Sequence, residues 1–189
     1  IDEAGFPAGV FNMVNGDGAG VGTSLSSHPD IDVVSFTGST RAGILISKAA
    51  ADTVKTVSLE LGGKSPNLVF DDCDVDKAVR MGAAFCFNNT GQSCNAPSRM
   101  LVQSSVYQKA VEIAKQTAAQ VEVDDPMKEG MHLGPLSSRV QFDKVQGLIE
   151  KGIEEGAELI AGGPGKPEGL ETGYFVKPTI FAGVNNQMT

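Results

Sequence analysis

The feature that most restricts the fold of this chain is the alternation of short apolar runs with helical stretches in its first third. Residues 9–14 (G-V-F-N-M-V), 33–36 (V-V-S-F) and 56–61 (T-V-S-L-E-L) have the composition of strands. The stretches between them, residues 19–27 and the segment from T-G-S-T-R-A-G to about Ala51, have that of helices. Short, continuously apolar strands that alternate with helices are typical of a parallel sheet. We therefore expect an α/β fold.

The same alternation continues less regularly through the rest of the chain. Strands are expected at 66–70, at 100–103, near Leu159 and at 175–181, and helices at 74–88, 105–121 and 137–155. In the last helix four apolar residues recur at three- and four-residue intervals and predict one apolar face: Phe142, Val145, Ile149 and Ile153. The glycine pair in L-G-G-K-S-P interrupts the pattern and predicts a boundary between residues 1–62 and 63–189.

Composition excludes several classes of partner. The 15 basic and 23 acidic residues give a net charge of −8, and no basic run could follow a phosphate backbone, so we expect no nucleic-acid partner. No apolar window approaches the ~18 residues of a membrane span, and I-D-E-A-G-F-P does not resemble a signal peptide. The 3 cysteines form no C-x-x-C pair, which argues against a disulfide framework or a metal site and favours a reducing, cytoplasmic location. The chain starts without methionine at Ile1 and ends inside N-N-Q-M-T without a finished element, so we expect it to be an excerpt of a longer protein.

Cys94 is the candidate nucleophile. It lies in a polar, turn-forming loop, F-N-N-T-G-Q-S-C-N-A-P-S-R, whereas a cysteine kept for packing prefers apolar neighbours. An accessible thiol in a tight loop suits nucleophilic chemistry, although an incidental surface thiol remains an alternative. Cys86, in A-A-F-C-F, is expected to be a packed core thiol, and the aspartates around Cys73 disfavour its thiolate. A cysteine–histidine hydrolase would need His28 or His132 near Cys94, which the sequence does not indicate.

Two glycine-rich turns are candidate phosphate sites. The turn at 15–22 does not satisfy G-x-G-x-x-G and is expected to be only a tight connection. The turn at 38–43 (G-S-T-R-A-G) follows a strand and opens a helix, but it lacks the G-K-[ST] of a P-loop. A helix start presents free N–H groups to an anion, and Ser39 could add a hydroxyl donor. Alternatively, Ser39 or Thr40 only caps the helix, and the two roles are compatible.

Glu60 is the candidate general base. Strand alternation puts Ser58 and Glu60 on one face and Leu59 and Leu61 on the other. The carboxyl ends of strands are where open α/β sheets present groups to ligands, and a desolvated carboxylate there would suit base chemistry. A solvated edge glutamate, or an ion pair with Lys64, is the alternative.

Taken together, F-T-G-S-T-R-A-G, L-E-L-G-G-K-S-P and G-Q-S-C-N-A-P-S-R resemble the aldehyde dehydrogenase superfamily in their order and in the spacing of the last two. The resemblance implies a Rossmann-like coenzyme-binding portion with a parallel sheet, followed by an α/β catalytic domain, both incomplete. Residues 1–62 would be the C-terminal part of the first and residues 63–189 the N-terminal part of the second. The coenzyme would be NAD or NADP.

The resemblance also implies a set of site residues. The implied coenzyme-binding residues are Thr37, Gly38, Ser39 and Gly43. The implied catalytic residues are Cys94 and Glu60, and no metal ion is expected. Gly38 and Ser39 would meet the pyrophosphate and Thr37 would lie nearer the nicotinamide, while Gly43 would let the following helix pack closely. Cys94 would be the nucleophile and Glu60 the general base.

The implied reaction oxidises a small aldehyde to a carboxylic acid through a thiohemiacetal and a thioester on Cys94, which water activated by Glu60 hydrolyses. The full-length protein would be a homodimer or homotetramer, and this stretch alone would turn over little or nothing. A CoA-acylating semialdehyde dehydrogenase, a non-enzymatic structural descendant of the family and a thiol hydrolase remain alternatives.

Overall fold

The computed structural model describes residues 1–189. It divides the chain into two compact units, Ile1–Gly62 and Gly63–Thr189, which are described separately. The assignment of the first unit to coenzyme binding and of the second to catalysis stays a prediction. No helix in either unit is both long enough and apolar enough to cross a membrane.

The first unit contains a strand–helix–strand motif. After a π-helical turn, its elements are helix α1 (Thr23–Ser27), strand β1 (Val33–Gly38), helix α2 (Thr40–Ala51) and strand β2 (Thr56–Leu61). Strands β1 and β2 pair in parallel over their whole length, from Val33 opposite Thr56 to Gly38 opposite Leu61. The parallel pair with its crossover helix confirms the expectation drawn from the alternating pattern.

Helix α2 covers one face of this sheet. Gly43 is buried where the helix crosses β2, and a Cβ atom there would lie 2.9 Å from Cδ2 of Leu61. The apolar residues of both strands are mostly half-buried, whereas four alternating polar residues are exposed on the opposite face: Ser35, Thr37, Ser58 and Glu60. The predicted division of β2 into a polar and an apolar face is therefore confirmed.

The strand predicted at residues 9–14 is wrong. This segment forms turns and irregular structure, and its apolar side chains are exposed: Val10, Phe11, Met13 and Val14. An apolar run becomes a strand only where a neighbouring strand accepts its backbone hydrogen bonds. In this chain the two strands of the first unit pair only with each other, so the run has no partner strand.

The second unit adds four strands and three helices. They are β3 (Pro66–Val69), α3 (Val75–Phe87), β4 (Arg99–Val102), α4 (Tyr107–Ala119), α5 (Arg139–Glu154), β5 (Glu158–Ala161) and β6 (Ile180–Ala182). Strands β3 and β4 are parallel, and β5 and β6 are antiparallel. The strand predicted at 175–181 is mostly irregular, and only its last two residues belong to β6. Pro178, which has no N–H to donate to a ladder, precedes β6.

The core of the second unit lies where α3 and α4 pack over β3. Its buried residues are Val69, Val75, Val79, Ala110, Ile113 and Ala114. The two alanines on α4 allow the helices to approach closely. Asp74 caps α3 by accepting a hydrogen bond from the Lys77 N–H at 3.1 Å, as the acidic cluster before this helix predicts.

The apolar face predicted for α5 is only partly buried. Ile149 is buried and Phe142 and Val145 are half-buried, but Ile153 is 43% exposed. The periodicity therefore identifies the helix correctly and overstates the length of its packed face.

Candidate active site

The turn between β1 and α2 presents backbone N–H groups. Ser39 has an extended backbone (φ −78°, ψ 148°), and its Oγ accepts a hydrogen bond from the Ala42 N–H at 3.3 Å. Ser39 is thus the N-cap, as one of the two alternatives predicts, and its hydroxyl proton remains available to an acceptor. The first turn of α2 carries no acidic side chain, and Arg41 lies within it. The positive end of the helix is therefore not neutralised locally, which suits an anion.

Two glycines keep this turn free of side chains. A Cβ atom at Gly38 would overlap with the ring of Phe36, and one at Gly43 would meet Leu61. Thr37 is exposed next to Gly38 at the end of β1. The bare backbone, the free hydroxyl and the unneutralised helix end together fit a phosphate group.

Glu60 lies beside Thr37. The two residues are register partners in the parallel pair of β1 and β2, and both are exposed on the same face. The desolvation expected for a base is not provided by this unit, because the Glu60 side chain is open to solvent. The sheet does fix the position of Glu60, near the carboxyl ends of two neighbouring strands.

The loop that leads to Cys94 begins with a strained turn. Asn89 (φ 53°, ψ 33°), Thr90 (φ 56°, ψ 35°) and Gly91 (φ 71°) are three consecutive residues in the left-handed region. This conformation suits glycine, but it costs a residue with a Cβ about 1–2 kcal/mol, and a β-branched residue such as Thr90 is rarely found there. Surrounding contacts must hold the turn in place.

Cys94 is accessible at the tip of the following turn. Its side chain is exposed, and the Ala96 N–H donates to the Ser93 carbonyl at 3.2 Å across it. Ala96 is buried, which fixes the loop on the far side of the thiol. The Cys94 carbonyl lies close to Gly63, where a Cβ atom would be 3.5 Å away. This geometry matches the lightly hindered thiol expected from the sequence.

The other two cysteines have different surroundings. Cys86 is half-buried on α3 rather than fully packed, and it lines a cavity of about 700 Å³. Burial raises the pKa of the Cys86 thiol, and the positive charge of Lys64 opposes this rise. Cys73 is exposed, and its thiol donates to the Phe70 carbonyl at 3.0 Å.

Both histidines have local backbone partners. His28 Nδ1 accepts from the Asp30 N–H at 3.2 Å, and His132 Nε2 lies 2.9 Å from the Asp125 carbonyl oxygen. No three His, Cys, Asp or Glu side chains form a cluster that could hold a metal ion.

Five of the six predicted site residues belong to the first unit. Thr37, Gly38, Ser39 and Gly43 surround one strand-to-helix turn, and Glu60 lies on the strand next to it. Cys94 belongs to the second unit. In a comparison of the whole chain with known proteins, the model of the aldehyde dehydrogenase family matches residues 1–189.

This chain belongs to the aldehyde dehydrogenase family. Among curated family members, it is 57% identical over 188 residues to the 3-succinoylsemialdehyde-pyridine dehydrogenase of a Pseudomonas species. The matched region is 100% of this chain and 39% of that protein. It is 54% identical to a putative aldehyde dehydrogenase of Staphylococcus aureus, over 100% of this chain and 40% of the relative. The resemblance drawn from three sequence motifs is therefore confirmed.

Solved structures of aldehyde dehydrogenases superpose closely on the chain. The enzyme of Bartonella henselae matches with a TM-score of 0.96 at 55% identity, over 99% of this chain and 39% of that one. A mutant of aldehyde dehydrogenase C from Pseudomonas syringae, in complex with NAD+ and octanal, matches with a TM-score of 0.96 at 48% identity, over 98% of this chain and 38% of that one. The predicted α/β fold class is confirmed, and the chain spans about two fifths of the length of these family members.

Sequence reasoning did not single out two side chains that hold the Cys94 loop of this family member. The Thr90 hydroxyl donates to the Gly134 carbonyl at 3.0 Å, and the Gln92 Oε1 accepts from the Ser137 N–H at 2.9 Å. The turn-forming residues N-N-T-G signal a tight bend, but nothing in the sequence indicates which distant segment receives these bonds.

Proposed function

We propose that this chain is part of an NAD(P)-dependent aldehyde dehydrogenase that oxidises an aldehyde to a carboxylic acid, with Cys94 as the nucleophile. The observation that carries the proposal is an exposed thiol at the tip of a strained loop, in a chain that the family model matches throughout. Since the chain spans 39% of its curated Pseudomonas relative, the activity is proposed for a polypeptide of full family length. In it, residues 1–62 belong to the coenzyme-binding domain and residues 63–189 to the catalytic domain.

The turn after β1 is the proposed site for the coenzyme pyrophosphate. The first-turn N–H groups of α2 and the Ser39 hydroxyl would hold the phosphate oxygens, Gly38 would leave room for their approach, and Thr37 would be a further coenzyme contact at the end of β1. Gly43 acts indirectly, because it lets α2 pack against Leu61 and so fixes the helix start. Support comes from the Pseudomonas syringae and Bacillus cereus structures in complex with NAD+. When bound, NAD or NADP supplies the hydride acceptor.

Cys94 carries the covalent steps. Its thiolate attacks the carbonyl carbon of the aldehyde and forms a thiohemiacetal, whose oxyanion is stabilised by the Cys94 backbone N–H. A bound NAD(P)+ would accept hydride from that carbon, and Cys94 would then carry the substrate as a thioester. The site fits this chemistry because the thiol is exposed and adds reversibly to aldehydes.

Glu60 completes the reaction as a general base. It removes a proton from water, the resulting hydroxide attacks the thioester carbon, and the carboxylic acid leaves as Cys94 regains its thiolate. The overall balance is aldehyde, NAD(P)+ and water giving acid, NAD(P)H and a proton. The presence of Glu60 favours hydrolysis over transfer to CoA, because a carboxylate at this position can activate water for attack on the thioester.

The substrate is proposed to be a small aldehyde, and the full-length protein a cytoplasmic homodimer or homotetramer without nucleic-acid or membrane partners. The named relatives act on or bind different aldehydes, octanal in one and a pyridine semialdehyde in another. We therefore propose only that the substrate carries an aldehyde group. The 189-residue chain alone is expected to bind coenzyme weakly and to oxidise aldehydes little or not at all. Normal turnover by these residues alone would contradict this expectation.

The test is Cys94→Ser in a polypeptide of full family length that contains this chain, with Cys73→Ser as the matched control on another exposed thiol. We expect Cys94→Ser to lower aldehyde-dependent NAD(P)H formation by about 1,000-fold or more, whereas Cys73→Ser retains the rate. Full activity of Cys94→Ser would overturn the proposal. Analysis of the product decides between the alternatives: acid supports hydrolysis, acyl-CoA indicates a CoA-acylating enzyme, and ester cleavage without any NAD(P)H indicates a thiol hydrolase.

A further inference from the structure

Two hydrogen bonds connect the Cys94 loop to the segment that precedes α5. The Thr90 hydroxyl donates to the Gly134 carbonyl at 3.0 Å, and the Ser137 N–H donates to Gln92 Oε1 at 2.9 Å, across 44 and 45 residues of sequence. We call these four residues the clamp. Both bonds lie within four residues of Cys94 along the chain, on its N-terminal side.

The segment that receives the clamp is itself fixed. Leu136, between Gly134 and Ser137, is buried, and its N–H donates to the Tyr174 carbonyl at 3.0 Å. Immediately after it, Ser138 caps α5 by accepting from the Gln141 N–H at 3.3 Å. The clamp therefore attaches the Cys94 loop to a rigid part of the second unit.

Gln92 joins the clamp to the strained turn. Its Nε2 donates to the Asn89 carbonyl at 3.2 Å while its Oε1 accepts from Ser137, so both ends of one amide are used. The Asn89 side chain in turn donates to the Gln92 carbonyl at 3.2 Å. With the clamp removed, only bonds within the turn itself, such as that from the Asn89 side chain to the Gln92 carbonyl, would hold Asn89 and Thr90 in the left-handed region, and we expect the turn to relax.

We propose that Thr90 and Gln92 are positioning residues that hold the Cys94 thiol where it can attack an aldehyde. Cys94 lies two residues after Gln92 and two before the buried Ala96, so the clamp and Ala96 fix both sides of the nucleophile. A displacement of a reacting group by about 1 Å can cost about 100-fold in rate. The inference rests on the proposed function, since it assigns a role to two side chains in the same reaction.

The test uses two variants in the full-length polypeptide. Thr90→Val keeps the branched shape and removes the hydroxyl, and Gln92→Leu removes both ends of the amide. We expect each to lower kcat by about 10-fold to 100-fold with little change in KM, and to slow alkylation of Cys94 by iodoacetamide by a similar factor. Thr90→Ser keeps the donor to Gly134 and is expected to retain wild-type rates.

The matched control is Gln103→Leu. Gln103 also joins two distant segments, because its amide accepts from the Asp71 N–H at 3.1 Å and donates to Asp71 Oδ2 at 2.6 Å, but these bonds lie beyond the end of β4 and do not involve the Cys94 loop. Gln103→Leu is expected to lower the thermal unfolding midpoint as the clamp variants do and to leave Cys94 alkylation unchanged. Equal slowing of alkylation by Gln103→Leu would overturn a specific role for the clamp.

The alkylation measurement separates failure of this inference from failure of the proposed function. Retention of both kcat and Cys94 alkylation in Thr90→Val and Gln92→Leu would overturn the clamp alone. Activity that survives Cys94→Ser would overturn the function, and the alkylation rates would still report on the clamp.

If Gln92→Leu does not fold, Gln92→Glu keeps the acceptor for Ser137 and loses the donor to Asn89. That variant is expected to be slower than wild type, and an unchanged rate counts against the proposal.

Discussion

Thr37 and Glu60 are register partners on adjacent parallel strands, and their side chains share one exposed face of the sheet. Each is the second residue from the end of its strand. Neighbouring strands lie about 4.8 Å apart, so a molecule that contacts Thr37 comes within reach of the Glu60 carboxylate. The pairing would let one strand pair offer the proposed coenzyme contact, Thr37, and the proposed base, Glu60, at the same edge.

The first prediction concerns Glu60→Gln. Loss of the base is expected to slow thioester hydrolysis by about 100-fold to 10,000-fold and to leave acylation of Cys94 largely intact. Rapid-mixing measurement of NAD(P)H should then show a burst of about one equivalent per site, followed by a slow steady state. Ser58→Ala is the control, because Ser58 is exposed on the same face two residues earlier, and it should behave like wild type. Absence of a burst together with a lost steady state would place Glu60 in acylation instead.

The second prediction concerns the Ser39 hydroxyl. Ser39→Ala removes a helix cap, which costs about 1 kcal/mol, and also a donor to a charged phosphate, which we expect to raise the coenzyme dissociation constant by about 10-fold or more. Ser138→Ala is matched to it, since Ser39 and Ser138 accept cap bonds of the same length, 3.3 Å.

Titration calorimetry with NAD+ separates the two roles of Ser39. The two variants should lose similar stability, but only Ser39→Ala should lose coenzyme affinity. A Ser39→Ala variant with unchanged affinity would leave Ser39 as a cap and nothing more.

The parts of the fold that the sequence predicts well are those whose signal is local. The strand β2 is bounded as expected because its alternating polar and apolar residues, its helix on one side and its parallel partner all agree. Residues 9–14 show the limit of the same signal, since an apolar run does not reveal whether a partner strand is present.

In the candidate site too, the residues with a local sequence signal could be predicted and those that depend on distant contacts could not. Cys94 could be singled out because its neighbours are unusual for a buried thiol, and Ser39 because a serine at a helix start has few roles. Thr90 and Gln92 could not, because the bonds that give them importance cross 44 and 45 residues and depend on a left-handed turn. A positive φ at a threonine cannot be predicted from the sequence, because β-branched residues disfavour this conformation.

The third prediction tests helix packing in the second unit. A Cβ atom at Gly82 on α3 would overlap with the side-chain amide of Asn67 on β3, whose nitrogen is buried without a hydrogen-bond partner. Gly82→Ala is therefore expected to lower the free energy of unfolding by about 1–2 kcal/mol, despite the better helix propensity of alanine. Asn67→Ser in the same chain should restore most of this loss, which a double-mutant cycle in urea would detect.

The control for that cycle is Gly147→Ala on α5. No atom lies within 4 Å of a Cβ built at Gly147, so the substitution brings only the helix propensity of alanine. It should raise the free energy of unfolding by about 0.5–1 kcal/mol. If Gly82→Ala were also stabilising, the contact with Asn67 would not constrain the helix.

The fourth prediction concerns stability at alkaline pH. Burial raises the pKa of the Cys86 thiol above its unfolded-state value of about 8.5, so the folded state binds this proton more tightly than the unfolded state does. The contribution of Cys86 to stability is therefore fully present below that pH, and it is lost as the pH rises through the higher folded-state pKa. The same shift should make Cys86 react with iodoacetamide only at higher pH than an ordinary thiol.

Comparison of Cys86→Ala with Cys73→Ala isolates this effect from the titration of lysines and tyrosines, which both variants retain. Urea unfolding at a series of pH values should give a shallower alkaline loss of stability for Cys86→Ala than for wild type. Cys73→Ala, which removes an exposed thiol, should follow wild type. Because Lys64 opposes the shift at Cys86, Lys64→Met should steepen the alkaline loss in the presence of Cys86 and have no such effect in the Cys86→Ala background. Parallel curves for wild type and Cys86→Ala would mean that the thiol is not desolvated in the folded protein.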